Sequence, residues 1–378
     1  MGCPLTSFFE IEEFINGLPE KDKLLIKNLY DLSSSDTAIE IPKTLEQKVV
    51  RYLIGCENGD LNNAERQKLL NNIKNQRIVR VVNRWTYESA LYNYWRAFRP
   101  GMNTINMEKL TKWLKENITE KEEGCDFCNP EKYTPEDSFG RIYGKYCVTS
   151  ANLARFEEFH SLLIFNKHNP LDFNREEFFD YMETAFRWFS RVKDISDNYR
   201  FPLLVWNCLP RAGASRVHGH MQLLAGASIF PKMKLIIDSS IRFFDRHKRN
   251  YFEALYEVHN ILGLSRYRHG VKIMCYLTPI KEREIFIMSE KIDDIFIDIL
   301  YNILRGYIDT LKVISFNLSL YEIPLNENGN RLFITRIVDR GNVFTQTSDI
   351  AAMELYASPV IAQDPLQLRK KVFDHWLE

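Results

Sequence analysis

The chain has 378 residues, 45% hydrophobic and 13% aromatic, enough to bury one large core or two ordinary ones. Fifty basic residues balance fifty acidic ones, which excludes a general electrostatic attraction to nucleic acid or to an anionic membrane surface. No apolar run reaches membrane-spanning length and no signal peptide is visible, so a cytoplasmic protein without stable membrane insertion is expected.

The opening Met1-Gly2-Cys3-Pro4-Leu5-Thr6 fits the loose myristoylation pattern, with Cys3 available for palmitate. No basic cluster follows to supply a second anchoring signal, so lipidation is not the expected outcome. Residues 1–75 read as a charged helical extension, with apolar spacing at Phe8, Phe9, Ile11 and Phe14 and again from Leu45 to Ile54. The cluster Ser33-Ser34-Ser35-Asp36 reads as a loop or a helix start. Arg77 to Val82 has a strand pattern, followed by Trp95-Arg96-Ala97-Phe98-Arg99-Pro100.

From residue 145 a strand–strand–helix–strand–strand rhythm is predicted. Its elements are 146–149, 161–165, an amphipathic helix over 175–195, then 203–207 and 217–224. Residues 230–265 read as helical and surface-facing. The rhythm then recurs with strands at 273–277 and 284–288, a helix over 291–312, and strands at 316–321 and 331–337. This order predicts an internal duplication of an α+β unit. The expected division is 1–75, a helical extension; 76–228, a first half with the chemistry; and 229–378, a second half without it. In the second half, Phe333-Ile334-Thr335-Arg336 stands where the first half has its histidines.

Chemistry concentrates in His218-Gly219-His220-Met221-Gln222. In a strand, residues two apart share a face, so His218, His220 and Gln222 are expected to point together. One imidazole can then hold a metal while its neighbour attacks a substrate. Seven cysteines are scattered through the chain, and only Cys125 and Cys128 are closely paired. Their C-x-x-C spacing supplies half of a zinc site, and redox motifs share it. The flanking Gly124 and Asn129-Pro130 favour a knuckle turn. His168 and His218 are the best-placed remaining ligands, and a Cys2His2 set leaves no open position, so this zinc would be structural.

His220 is then the free imidazole, suited to attack phosphorus if held neutral in one tautomer. Ser215 and Gln222 can donate to phosphate oxygens, and Gly213 lets the backbone approach closely. Arg96 and Arg99 offer fork-shaped donors for a diphosphate.

Asn207-Cys208, Gly213-Ala214-Ser215 and the H-x-H-x-Q run at 218–222 together resemble the active-site stretch of the galactose-1-phosphate uridylyltransferase family, a branch of the histidine-triad superfamily. The R-x-x-R-P segment at Arg96–Pro100 and the Cys125/Cys128/His168 set fit the same resemblance, which spans about residues 76–375. It implies two tandem histidine-triad-like units, antiparallel sheets with packed helices. It also implies zinc at Cys125, Cys128, His168 and His218, and His220 as the nucleophile that takes a nucleoside monophosphate. Gln222 and Ser215 would be phosphate donors, Arg96, Arg99, Asn152 and Asn207 nucleotide contacts, and Glu354 a sugar contact. The implied partners are a nucleotide-sugar or dinucleotide donor and a sugar phosphate or orthophosphate acceptor, and a homodimer is allowed. Arg216-Val217 stands where the family tends to have a glutamine and a proline, and the glutamine expected shortly after Glu354 is missing from Ala357-Ser358-Pro359-Val360-Ile361, so phosphorolysis or hydrolysis of nucleotide-sugars or dinucleoside polyphosphates stays open. A zinc-stabilised nucleotide-binding module without activity is the non-enzymatic alternative.

Overall fold

The computed structural model describes residues 5–54, 62–98, 107–119, 124–324, 331–345 and 348–375. Arg99, Gly2 and Cys3 lie outside these. Thirteen strands occur among the described residues: β1 Tyr30–Ala38, β2 Asn75–Asn83, β3 Ser89–Tyr92, β4 Cys147–Ala151, β5 Phe159–Phe165, β6 Phe201–Cys208, β7 His220–Gly226, β8 Ser265–Arg268, β9 Val271–Cys275, β10 Ile285–Ser289, β11 Phe316–Pro324, β12 Arg331–Asp339 and β13 Val360–Ile361. They form a four-stranded sheet, β1-β2-β3-β13, and a nine-stranded one, β4-β5-β7-β6-β11-β12-β10-β9-β8. All pairs in the large sheet are antiparallel.

Leaving out the edge strand β8, the large sheet reads the same from both ends. Strands β4, β5, β6 and β7 on one side correspond in order to β9, β10, β11 and β12 on the other, and β6 meets β11 at the centre. The predicted helix lies at Arg175–Ile195, started by Asn174 and Glu177 in a reciprocal capping box. Its buried stripe of Phe178, Tyr181, Met182, Ala185, Trp188 and Val192 covers one face of the first half. The second half carries Asp294–Arg305 in the same place in the order, capped by Asp293.

Inward residues of that face, Trp206, Met221, Leu223, Phe316 and Leu318, are all buried. The other face is treated differently in the two halves. Cross-strand pairing sets Leu162, Gln222, Val205, Ser319, Arg336 and Phe286 in one row across the sheet. Because Val205 and Ser319 are the central pair, Gln222 and Arg336 hold two-fold-related places. Arg336 is buried there against Glu284 and Glu88, and its guanidinium lies over the rings of Tyr276 and Phe286. Glu88 belongs to the turn before β3, and Tyr92 of that strand donates to the Leu277 carbonyl at 3.0 Å, so the small sheet covers this half. The place equivalent to Gln222 is thus filled.

Two sequence expectations need correction. Ser33-Ser34-Ser35-Asp36 lies inside β1, in full register with β2, so the segment before residue 75 carries a nine-residue strand as well as helices. β2 offers a ladder of backbone partners, and that outweighs the low strand propensity of a serine run. The region 230–265 forms helices Pro231–His247 and Tyr251–Ile261, but the second is packed inward through Tyr251, Phe252, Leu255, Val258 and His259.

Candidate active site

Cys125 and Cys128 are brought together by the single turn Asp126–Cys128, closed by the Cys128 amide on the Cys125 carbonyl at 3.1 Å. Only a four-residue helix follows, so this is the knuckle and not the long helix of a redox motif. His168 lies just beyond β5, and His218 two residues before β7. The predicted strand over 217–224 therefore begins later, at His220. His218 Nδ1 stands 3.6 Å from Cys125 Sγ, 3.5 Å from Cys128 Sγ and 3.2 Å from His168 Nδ1, and His168 Nδ1 is 3.4 Å from Cys128 Sγ. All four ligand atoms fall within 4.8 Å of one another.

With zinc–sulfur bonds of about 2.3 Å and zinc–nitrogen bonds of about 2.05 Å, a tetrahedron has S···N edges of about 3.6 Å and N···N edges of about 3.4 Å. The donor set fits such an ion. His218 is also prepared for it, because its Nε2–H donates to the Phe165 carbonyl at 2.8 Å and leaves Nδ1 with its lone pair. Burial pushes the His218 ring down to about 4, so it is a neutral donor at neutral pH.

Gly219 explains how two histidines are pressed against β5. Its amide donates to the His168 carbonyl and its carbonyl accepts from the Phe165 amide, both at 2.9 Å. A Cβ at this position would stand 2.5 Å from Phe165 Cδ2 and 3.2 Å from Pro170 Cα. His220 follows, and its Nδ1–H donates to the His218 carbonyl at 2.7 Å. Nε2 is therefore the nitrogen with an available lone pair. Burial lowers the ring's basicity and the carbonyl bond partly opposes this, so the imidazole is neutral. Phe127, between the two cysteines, packs edge-on against both His218 and His220, at 5.8 and 5.2 Å between ring centres.

The turn between β6 and β7 carries Gly213 at φ +93°, a left-handed conformation that favours glycine. Leu209 takes a positive φ of 69° without being glycine, and its carbonyl accepts from the Ala212 and Ala214 amides at 3.0 and 3.3 Å. Ser215 is exposed on the same turn. Asn207, on the face of β6 that carries Val205, accepts at 2.7 Å from Asn317, whose amide also reaches the Ala212 carbonyl at 2.9 Å. Arg340 donates to the other end of Asn317 and pairs with Asp349.

Gln222 and Asn152 come together on a residue that the sequence reading passed over. Both amides lie 3.0 Å from Nε2 of His160, which is fully buried on β5 beneath the Phe156 ring. Extending the predicted strand by one residue would have put His160 on the face of Leu162 and Ile164, which pair with Gln222 and His220. Arg96 and Glu354 do not join this group. They line a separate cavity of about 410 Å³ with Arg211, Lys281 and Arg340, in which Glu354 also caps its own helix through the Ala351 amide. Arg211 belongs to the Pro210–Ala212 turn, so this cavity backs onto the loop that carries Gly213 and Ser215.

No family model matches the sequence, and no curated protein is similar to it. Solved structures share its fold. ADP-glucose phosphorylase from Arabidopsis thaliana, with bound ADP-glucose, superposes with a TM-score of 0.57 at 15% identity, over 77% of this chain and 97% of that one. A GalT-like protein from Arabidopsis thaliana gives 0.53 at 16% identity, over 68% and 93%. A uridylyltransferase gives 0.52 at 11% identity, over 67% and 90%. The chain is therefore an α+β protein with a GalT-like fold. No helix among the described residues is long and apolar enough to cross a membrane.

Proposed function

We propose that this chain is a nucleotidyltransferase working by ping-pong through a nucleotidyl-histidine on His220. It would move a nucleoside monophosphate from a nucleotide-sugar to a sugar 1-phosphate or to orthophosphate. The observation that carries the reading is the His220 ring itself: neutral, fixed through Nδ1–H on the His218 carbonyl, with Nε2 available. Attack by the Nε2 lone pair on the α-phosphorus forms an N–P bond and breaks the P–O bond to the sugar phosphate, which leaves with the electron pair. The ring becomes cationic with its proton still on Nδ1 and donated to the His218 carbonyl, so the first step needs no separate base. In the second step an acceptor phosphate oxygen attacks the same phosphorus, the N–P bond breaks, and the ring is neutral again.

Gln222, Ser215 and the amides of the 213–215 turn would stabilise charge on the phosphoryl oxygens. Asn152 and Asn207 would contact the nucleotide. Arg96 and Arg99 would contact the nucleotide and Glu354 the sugar, as the resemblance implies, Arg96 and Glu354 acting through the cavity at Arg211, and Gly213 would let the backbone approach the phosphates. Zinc held by Cys125, Cys128, His168 and His218 would be structural, its charge cancelled by two thiolates. These residues fix the His218 ring, and through its carbonyl they aim His220.

The mirrored strand order, with Gln222 and Arg336 at two-fold-related places, supports the reading of two tandem histidine-triad-like units, 76–228 and 229–378, behind an extension of 1–75. Only the first unit would then keep a site. The test is intact-mass measurement after acid-free quench with ADP-glucose or UDP-glucose. The expected result is an added nucleoside monophosphate on the wild type and none on His220→Ala. Undiminished turnover by His220→Ala rules the reading out.

A further inference from the structure

His160 presents a conflict that its neighbours cannot resolve among themselves. A single ring nitrogen sustains one in-plane hydrogen bond, as donor or as acceptor. Yet Gln222 Oε1 and Asn152 Nδ2 both stand 3.0 Å from His160 Nε2. Asn152 cannot turn over to relieve this, because its Oδ1 accepts from the Ala154 amide at 3.0 Å. If Nε2 carries the proton it serves Gln222, and the Asn152 N–H group is left over. If Nε2 is bare it serves Asn152, and Gln222 must turn its amide.

The other ring nitrogen decides the matter. His160 Nδ1 is buried with no protein partner. A buried N–H without an acceptor is more costly than a bare lone pair, since the donor forfeits a full hydrogen bond to water. Burial also keeps the ring neutral, so only one nitrogen is protonated. The proton belongs on Nε2. Gln222 is then held by its oxygen, and its amide N–H group faces away from His160.

We infer that His160 is a positioning residue: it donates from Nε2 to Gln222 Oε1, fixing the glutamine amide with its N–H group toward the phosphoryl oxygens and leaving the Asn152 N–H group unsatisfied until a substrate oxygen arrives. This rests on the proposed reaction for its consequence, but its geometry can be tested apart from it.

The first measurement is nitrogen NMR on the full chain with labelled histidines, with and without AMP, the His160 signals being those lost in His160→Gln. The expected state is the Nε2–H tautomer, with ring nitrogens that shift in Gln222→Ala. A proton on Nδ1 overturns the inference whether or not the protein transfers nucleotides. The second is single-turnover formation of the nucleotidyl-enzyme from ADP-glucose. His160→Ala and Gln222→Ala should each slow it by about 10- to 100-fold, and the double variant should be no slower than the worse single one. His160→Gln, which keeps an N–H donor, should recover most of the rate with KM for the donor little changed. Multiplying losses in the double variant would mean that His160 acts only as packing, and the inference fails. Loss of transfer in the wild type itself would count against the proposed reaction alone, with the tautomer still deciding this one.

Discussion

Gly219→Ala tests whether the two histidines owe their placement to one close approach. The added methyl carbon would meet Phe165 Cδ2 at 2.5 Å, whereas carbon atoms in contact rest at about 3.5–4.0 Å, so something must move by about 1 Å. Phe165 is poorly placed to yield. It is stacked on Tyr181 at 4.0 Å between ring centres and set edge-on to Trp206 at 5.3 Å. The backbone of Gly219 is pinned by its bonds to His168 and Phe165. Overpacking of a locked site costs about 1–3 kcal/mol, and the reduced freedom of alanine in the unfolded chain returns about 0.5 kcal/mol. A net loss of about 1.5 kcal/mol is expected in urea unfolding. Any shift of the segment also moves His218 and His220, and a misplacement of about 1 Å can slow transfer by about 100-fold. Unfolding free energy and nucleotidyl-enzyme formation should therefore fall together, with weaker metal retention. A variant within about 0.5 kcal/mol of wild type, with unchanged zinc content and rate, refutes the reasoning.

Further outcomes follow from the same geometry. Metal analysis of the purified chain should give about one zinc, and Cys128→Ala should lose it and unfold at lower temperature, as should the wild type with a strong chelator. Arg336→Met strands the fully buried Glu284 carboxylate, with a loss of about 3–5 kcal/mol at pH 7. Burial already raises the Glu284 carboxyl, outweighing Arg336, so the folded state holds its proton to higher pH than the unfolded chain. Stability of the variant should accordingly rise, relative to wild type, as pH falls from 7 toward 5, and urea midpoints across that range check the sign. Asp349 has the opposite sign: burial opposes its ionisation, but Arg340 overcomes this and holds the carboxyl below its ordinary value. The stability lost in Asp349→Asn should thus be present at neutral pH and disappear in acid below the ordinary carboxylate range. Asn317→Leu removes the group that ties Asn207 to the Ala212 carbonyl, and should lower kcat/KM for a nucleotide-sugar more than it lowers stability.

Local pattern was sufficient wherever a residue's partners lie close in sequence or on the same element. The helix Arg175–Ile195 follows from its apolar stripe and its Asn174 cap, and strands β5, β6, β10, β11 and β12 from short runs rich in apolar, aromatic and β-branched residues. The donor types of Cys125, Cys128, His168 and His218, with their spacing, anticipated the cluster that the fold assembles. Pairing between distant segments was not legible in the same way. Ser33–Asp36 became a strand because β2 stood ready to pair with it, and no property of a serine run announces that partner. His160 lay just before the predicted strand and stood out only once β7 placed Gln222 beside it. Arg336 stood in the sequence only where the first half has its histidines, and nothing local announced Glu88, almost 250 residues earlier, as its partner. Backbone periodicity is set by neighbours along the chain, so the sequence by itself determined the strongly patterned elements and the donor types that the fold could bring together. Which side chains share a buried face depends on strand order and register, and those are fixed only when the sheets close.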